Sequence, residues 1–215
     1  MQLSGFAAGP YKTNTYLLAT DTRAVVVDPG LHAADRVNAF LADKGLALEA
    51  IVLTHGHLDH TREAGDLAAA HSVPVWIHED DAFMLEKGKG GAAETQFLFS
   101  ADQMIHPADL RFLRDGETYT FAETELTVRH APGHSPGSVL LVAEDFAIVG
   151  DVIFRGSIGR TDFPTADPAA MDETLRGPVW DLDDALALLP GHGPTTVMRA
   201  ERAGNPFLKA ANHDR

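Results

Sequence analysis

A chain of 215 residues that is 45% hydrophobic is long enough to bury one substantial core, and no stretch reads as a linker, so a single domain over residues 1–215 is expected. The formal net charge of −14, with no basic tract or interleaved aromatics, argues against nucleic acid as a partner, although bound cations would still admit an anionic small molecule. The absence of cysteine excludes disulfides, Fe–S clusters and thiolate ligands, and the lack of both a leader pattern in residues 1–16 and an apolar run near ~18 residues predicts a cytoplasmic protein with no membrane partner.

Residues 15–19 and 23–27 have the character of a hairpin turning at Asp21-Thr22, and Asp28-Pro29-Gly30 breaks the second strand. Residues 33–44 carry Val37, Phe40 and Leu41 at helical spacing, with Gly45 placed as a C-cap. A strand over 50–53 leads into a polar cluster. A helix over 61–70 follows, for which Asp59 has the chemistry of an N-cap, and then a short strand over 73–77. Residues 87–107 are irregular. Lys87-Gly88-Lys89-Gly90-Gly91 is flexible and Phe97-Leu98-Phe99 is apolar, which suits an active-site flap or a packing segment, with packing favoured. The glycine run lacks P-loop spacing and does not follow a strand. Strands near 117–121, 125–129, 137–142 and 146–149, and an apolar run over 186–189, make a second β-rich layer. Two such layers with helices at intervals fit an α/β fold of four layers, αββα.

The polar cluster is His55-Gly56-His57-Leu58-Asp59-His60, four metal-ligating side chains in six residues. In extended chain, residues two apart face the same way, so His55 and His57 can share one ion, while Asp59 and His60 turn towards a second position. Imidazole and carboxylate together suit zinc, iron or manganese. A single histidine after a strand is ordinarily a loop residue; this spacing is not ordinary. His134 lies in Ala131-Pro132-Gly133-His134-Ser135-Pro136-Gly137, Asp151 ends Ala147-Ile148-Val149-Gly150, and His192 lies in Pro190-Gly191-His192-Gly193-Pro194. Each follows a strand and is flanked by glycine or proline, which permits tight turns and close approach of backbone to an ion.

Asp28 is either an acceptor that orients a ligand histidine or the head of an Asx turn. Arg160 either positions substrate or pairs with Asp162 to stiffen its loop. Asn14 and Tyr16 either line a cleft or are strand-edge residues. His32, His71, His78, His106, His130 and His213 show no partner pattern and read as surface or structural, with His130 close enough in sequence to support His134.

Thr54-His55-Gly56-His57-Leu58-Asp59-His60, followed in order by His134, Asp151 and His192, resembles the metallo-β-lactamase superfamily over nearly the whole chain. Gly150-Asp151-Val152-Ile153-Phe154-Arg155-Gly156-Ser157-Ile158-Gly159-Arg160-Thr161-Asp162-Phe163-Pro164 is similar to the short form of the glyoxalase II-like branch. So is the ending Glu201-Arg202-Ala203-Gly204-Asn205-Pro206-Phe207-Leu208. The resemblance implies an αββα sandwich with a site for two divalent ions at one edge, and no separate C-terminal helical domain. One ion is expected on His55, His57 and His134, and the other on Asp59, His60 and His192, with Asp151 bridging. Zinc is the expected metal, with iron or manganese as alternatives. The implied activity is that of a metal-dependent thioester hydrolase of the glyoxalase II type. It would act on a small hydroxyacyl thiol such as lactoylglutathione, with metal-activated water and His55, His57, His134, Asp59 and Asp151 as the catalytic set. Arg160 and Lys209 are expected at the substrate, Lys209 by likeness to a basic residue that holds glutathione carboxylates. The rival implied by the same motif is a persulfide dioxygenase with one iron on His55, His134 and Asp151. The Ser157-Ile158-Gly159 context and the Asn-Pro-Phe-Leu ending favour the hydrolase.

Overall fold

Successive residues of a strand face opposite sides of its sheet, and this chain uses both faces of both of its sheets. The computed structural model describes residues 1–214. Its first sheet runs β1 (Gln2–Ala8), β2 (Thr13–Ala19), β3 (Arg23–Val27), β4 (Ala47–Val52), β5 (Val75–His78) and β6 (Leu110–Leu113), in that spatial order. β1 to β3 pair antiparallel, and β3 to β6 run parallel. The second sheet is formed by β7 (Thr118–Phe121), β8 (Thr124–His130), β9 (Val139–Val142) and β10 (Phe146–Gly150). A small hairpin of β11 (Ile153–Phe154) and β12 (Ser157–Ile158) follows, and β13 (Ala187–Pro190) and β14 (Thr196–Val197) then complete the sheet. The spatial order is β14-β13-β10-β9-β8-β7, and β10 and β13 are parallel. The helices are α1 (Ala34–Lys44), α2 (Leu58–Thr61), α3 (Ala64–His71), α4 (Ala93–Leu98), α5 (Pro168–Arg176), α6 (Met198–Gly204) and α7 (Pro206–Ala211).

Alternation divides the apolar residues among three cores. Val25, Val27 and Val52 meet Val128, Leu141 and Ile148 between the sheets. Their neighbours Val26 and Ile51 face outward, against Val37 and Leu41 of α1 and Leu67 of α3. On the far side, Leu140, Ala147 and Val149 pack with Met171 and Leu175 of α5, Met198 of α6 and Leu208 of α7. The layers are therefore helices, sheet, sheet, helices, as expected.

The hairpin of β2 and β3 and the helix α1 stand where the sequence predicts them, and Gly45 ends α1 in the left-handed region at φ 66°. The helix expected over 61–70 is broken: α2 stops at Thr61 and α3 starts at Ala64. Asp59 does not cap it. Asp59 lies inside α2, and its carboxylate accepts a hydrogen bond from Thr13 Oγ1 at 2.8 Å instead. The segment 87–107, expected to be irregular, carries the short helix α4 and serves as a packing segment. Phe99, Ala101 and Met104 are buried in the first helix–sheet core, whereas Gly88 to Ala92 and Thr95 face a cleft.

Leu141 is fully buried between the sheets. Leu141→Ala should cost about 2–5 kcal/mol, read as a lowered midpoint of urea unfolding; a cost below about 1 kcal/mol would mean that the sheets do not share this core.

Candidate metal centre

The site gathers where strands of both sheets end. His55 and His57 follow β4, Asp59 and His60 ride on α2, His134 follows β8, Asp151 follows β10 and His192 follows β13. All seven candidate ligands come together. His55 Nε2 is 3.1 Å from His57 Nδ1, which is 2.9 Å from His134 Nε2. Asp59 Oδ2 is 3.1 Å from His192 Nε2 and 3.5 Å from His60 Nε2. Asp151 stands between the two groups. Its Oδ2 is 3.4 Å from both His134 Nε2 and His192 Nε2, and its Oδ1 is 3.4 Å from His60 Nε2.

The neighbours of the histidines decide which nitrogen faces inward. His60 Nδ1 donates to Asp28 Oδ2 at 2.9 Å, His134 Nδ1 to the Arg160 carbonyl at 2.9 Å and His192 Nδ1 to the Tyr11 carbonyl at 3.1 Å. His55 Nδ1 donates to Thr54 Oγ1 at 3.1 Å, and that hydroxyl donates on to Asp28 Oδ2 at 2.6 Å. An imidazole that donates from Nδ1 offers a lone pair on Nε2, so four rings present Nε2 to the site. Asp28 also accepts from the Thr54 amide at 2.8 Å. It is thus an orienting acceptor that serves a histidine of each group, and not merely a turn residue.

The site fits divalent cations. Among buried side-chain atoms, His60 Nε2 and Asp151 Oδ1 have no hydrogen-bond partner, and a buried polar atom left so costs about 1–3 kcal/mol unless another group satisfies it. Backbone closes on the same space at Gly191, where any Cβ would collide with Asp151 and His60. Five imidazoles and two carboxylates form a donor set suited to zinc, iron or manganese. A further grouping, His78, Asp80 and His130, lies outside this centre. Its two rings stack at 4.1 Å with only 6° between planes, so their in-plane lone pairs run parallel and do not converge on an ion.

Charge divides the site. Burial, with neighbouring histidines, holds His55 well below its usual range, and His57 falls to about 3 for the same reasons. Burial likewise lowers His134, against the pull of Asp151. These three rings are neutral donors at neutral pH. Burial works against protonation at His60 too, but Asp59, Asp151 and Asp28 overcome it and push that ring well up. His192 is raised to about 9 by its hydrogen bonds to Asp151 and Asp59, again against burial. Both carboxylates are stabilised as anions despite burial: Asp59 drops to about 2 beside His60 and His192, and Asp151 drops further beside the same pair and His134.

A cavity of about 770 Å³ opens over the centre, walled by Tyr11, Leu58, Met84, Phe154, Ile158 and Phe163. Phe163 meets His57 and His134 edge-on, with ring centroids 5.1 and 5.2 Å away. Arg160 lines the cavity and is also forked onto Asp162 at 2.8 and 3.1 Å, while its carbonyl fixes His134. Lys209 is a correction to the expected substrate set. α7 turns Leu208 and Ala211 into the outer core and leaves Lys209 exposed, outside the cavity lining; the lysine on the lining is Lys89. Asn14 and Tyr16 hold the His192 loop, by way of the carbonyls of Pro190 and Gly193. Thr13, whose hydroxyl fixes Asp59, carries no signal in the sequence.

The chain belongs to the metallo-beta-lactamase superfamily, whose description matches residues 8–192. It is a metallo-hydrolase of that superfamily. It is 32% identical to the hydroxyacylglutathione hydrolase GloC of Haemophilus influenzae, over 93% of this chain and 94% of that protein. The di-iron-bound form of TTHA1623 superposes with a TM-score of 0.82 at 35% identity, covering 95% of this chain and 99% of that one. The BLEG-1 B3 metallo-beta-lactamase gives a TM-score of 0.85 at 32% identity, covering 96% and 99%. Among the described residues no helix is long and apolar enough to cross a membrane.

Because Asp28 orients ligands in both groups, Asp28→Ala should weaken zinc binding about 10- to 100-fold in a protein that remains folded. Competition with a chromophoric chelator, beside circular dichroism, reads both quantities. Unchanged affinity would detach Asp28 from ligand orientation.

Proposed function

We propose that the chain is a thioester hydrolase of the glyoxalase II type, acting on a hydroxyacyl thiol such as lactoylglutathione. The observation that carries this reading is where the glyoxalase II-like stretch 150–164 lies. Besides Asp151 it contributes Phe154, Ile158, Arg160, Phe163 and Pro164 to the cavity wall. The relative GloC, matched over 93% of the chain, supports it.

His55, His57 and His134 would hold one cation and Asp59, His60 and His192 the other, with Asp151 shared. When bound, such ions supply Lewis acidity and bring the deprotonation of water near neutral pH. The cavity volume suits a small molecule, since ligand pockets run from about 300 to 1,000 Å³. Phe163 excludes water from one side of the first group, and Tyr11 and Phe154 offer apolar faces to the acyl and thiol portions. Lys89 at the lining, held by an exposed pair with Glu86, would meet carboxylates of the carrier, whereas Arg160 could do so only through the Nη1 that its fork on Asp162 leaves over. A thiol leaving group with a pKa near ~8.5 departs as its anion without a strong acid. That agrees with a cavity lining whose carboxylates among the described residues, Asp59 and Asp151, both belong to the ligand set, and with a chain that has no cysteine nucleophile.

Lactoylglutathione should release thiol, detected with a chromogenic reagent, while an oxygen electrode records no uptake. A chelator should abolish the release and added zinc restore it. Oxygen uptake with glutathione persulfide, together with no thioester turnover, would replace this reading with the dioxygenase. Turnover of thioesters of other thiols, but not of glutathione, would keep the reaction and change the carrier.

A further inference from the structure

Among the described residues three buried carboxylates lie outside the ligand set: Asp28 and Glu201, which hold neighbouring parts of the site, and Asp81. Asp81 is fully inaccessible in the 3₁₀ turn Glu79–Leu85 that follows β5, although its neighbours Glu79 and Asp80 are exposed. Its Oδ2 accepts from the Gly56 amide at 2.7 Å and from Ser135 Oγ at 2.6 Å. Its Oδ1 accepts from the Gly137 amide at 2.6 Å. Burying a carboxylate is costly unless charge-assisted hydrogen bonds replace its water, and three short ones do so here.

The three donors have a common address. Gly56 lies between His55 and His57, and Ser135 follows His134 directly. The two loops come from different sheets, yet both hang on one side chain. Packing leaves no slack between them: a Cβ on Gly137 would stand 2.8 Å from Asp81 Cγ, and one on Gly56 would stand 2.9 Å from the Asp81 carbonyl oxygen. None of the three donors adjoins His192, and the second group has its own supports in Thr13 and in the Asn14 and Tyr16 bonds to the His192 loop.

We infer that Asp81 is a positioning residue for the first ion: it fixes the spacing between the His55–His57 pair and His134, so the affinity of that position, and not of the other, depends on it. This rests on the two-ion reading above. Asparagine at position 81 would set an amide N–H₂ either against the Gly137 amide or against the Gly56 amide and the Ser135 hydroxyl, loosening the clamp while nearly preserving volume.

Zinc titration against a chromophoric chelator tests this in two backgrounds. His192→Ala leaves the first position intact, and His57→Ala leaves the second. Asp81→Asn should weaken zinc about 10- to 100-fold in the first background and less than about threefold in the second. The visible absorption spectrum of cobalt(II) in the first background should also shift, which a general loss of stability would not cause. Ser135→Ala removes a single bond of the clamp and should give a smaller loss in the same background, so a variant at position 81 that fails to fold does not end the test. Equal weakening in both backgrounds, or none in the first, overturns the inference. The readout is zinc and not turnover, so an error in the substrate reading would leave the result standing.

Discussion

The carboxylate of Asp28 ties the two halves of the metal centre together. It accepts from the Thr54 amide, from the Thr54 hydroxyl and from His60 Nδ1, and through Thr54 it also governs His55. One anion at the end of β3 therefore sets rings in both groups of candidate ligands and joins the ends of two parallel strands. The constraint is electrostatic as much as geometric. Three imidazoles and two carboxylates of the centre are buried and two further imidazoles partly so, and each must be held by a neighbour or satisfied by a cation. Nearly every loop at this edge of the sheets supplies such a neighbour: Thr13 for Asp59, the Arg160 carbonyl for His134 and the Tyr11 carbonyl for His192.

The cleft wall is secured with the same economy. Glu201 is buried on α6, where it accepts from the Gly156 amide at 2.7 Å and from Thr196 Oγ1 at 2.6 Å. Asn205 donates to the carbonyls of Phe154 and Ser157 and caps α7. The C-terminal ending thus holds the β11–β12 hairpin, whose Phe154 and Ile158 face the cavity. It shapes the wall, and Lys209, which follows it, stays outside the lining.

The ligand cluster was legible because its residues are close in sequence, sit at strand ends and belong to rare chemical types. The sheets were legible wherever apolar, β-branched runs are nearly continuous, as in β3, β4 and β10, whose residues are buried on both faces. β1 was not, since Gln2-Leu3-Ser4-Gly5 is half-exposed and does not alternate. α5 was overlooked although Asp167-Pro168 is a strong start signal, and the Asp167 side chain does accept from the amides of Ala169 and Ala170. The break between α2 and α3 could not be read from apolar spacing, because Asp59 and His60 on α2 answer to the centre rather than to helix capping. Thr13 and Asp81 were invisible for another reason: nothing beside them in the sequence marks them, and only the fold brings them to the site. Asp81 in particular sits in an acidic run that looks solvated until the fold buries one of its three members.

The proposed centre depends on two cations sharing Asp151. Metal analysis of the purified chain, reconstituted with zinc, measures this directly, with circular dichroism to establish folding. Two equivalents per chain are predicted for the unaltered protein, one for His192→Ala, and depletion of both positions for Asp151→Ala. A single equivalent in the unaltered protein at saturating zinc, or a folded Asp151→Ala that keeps two, would contradict it.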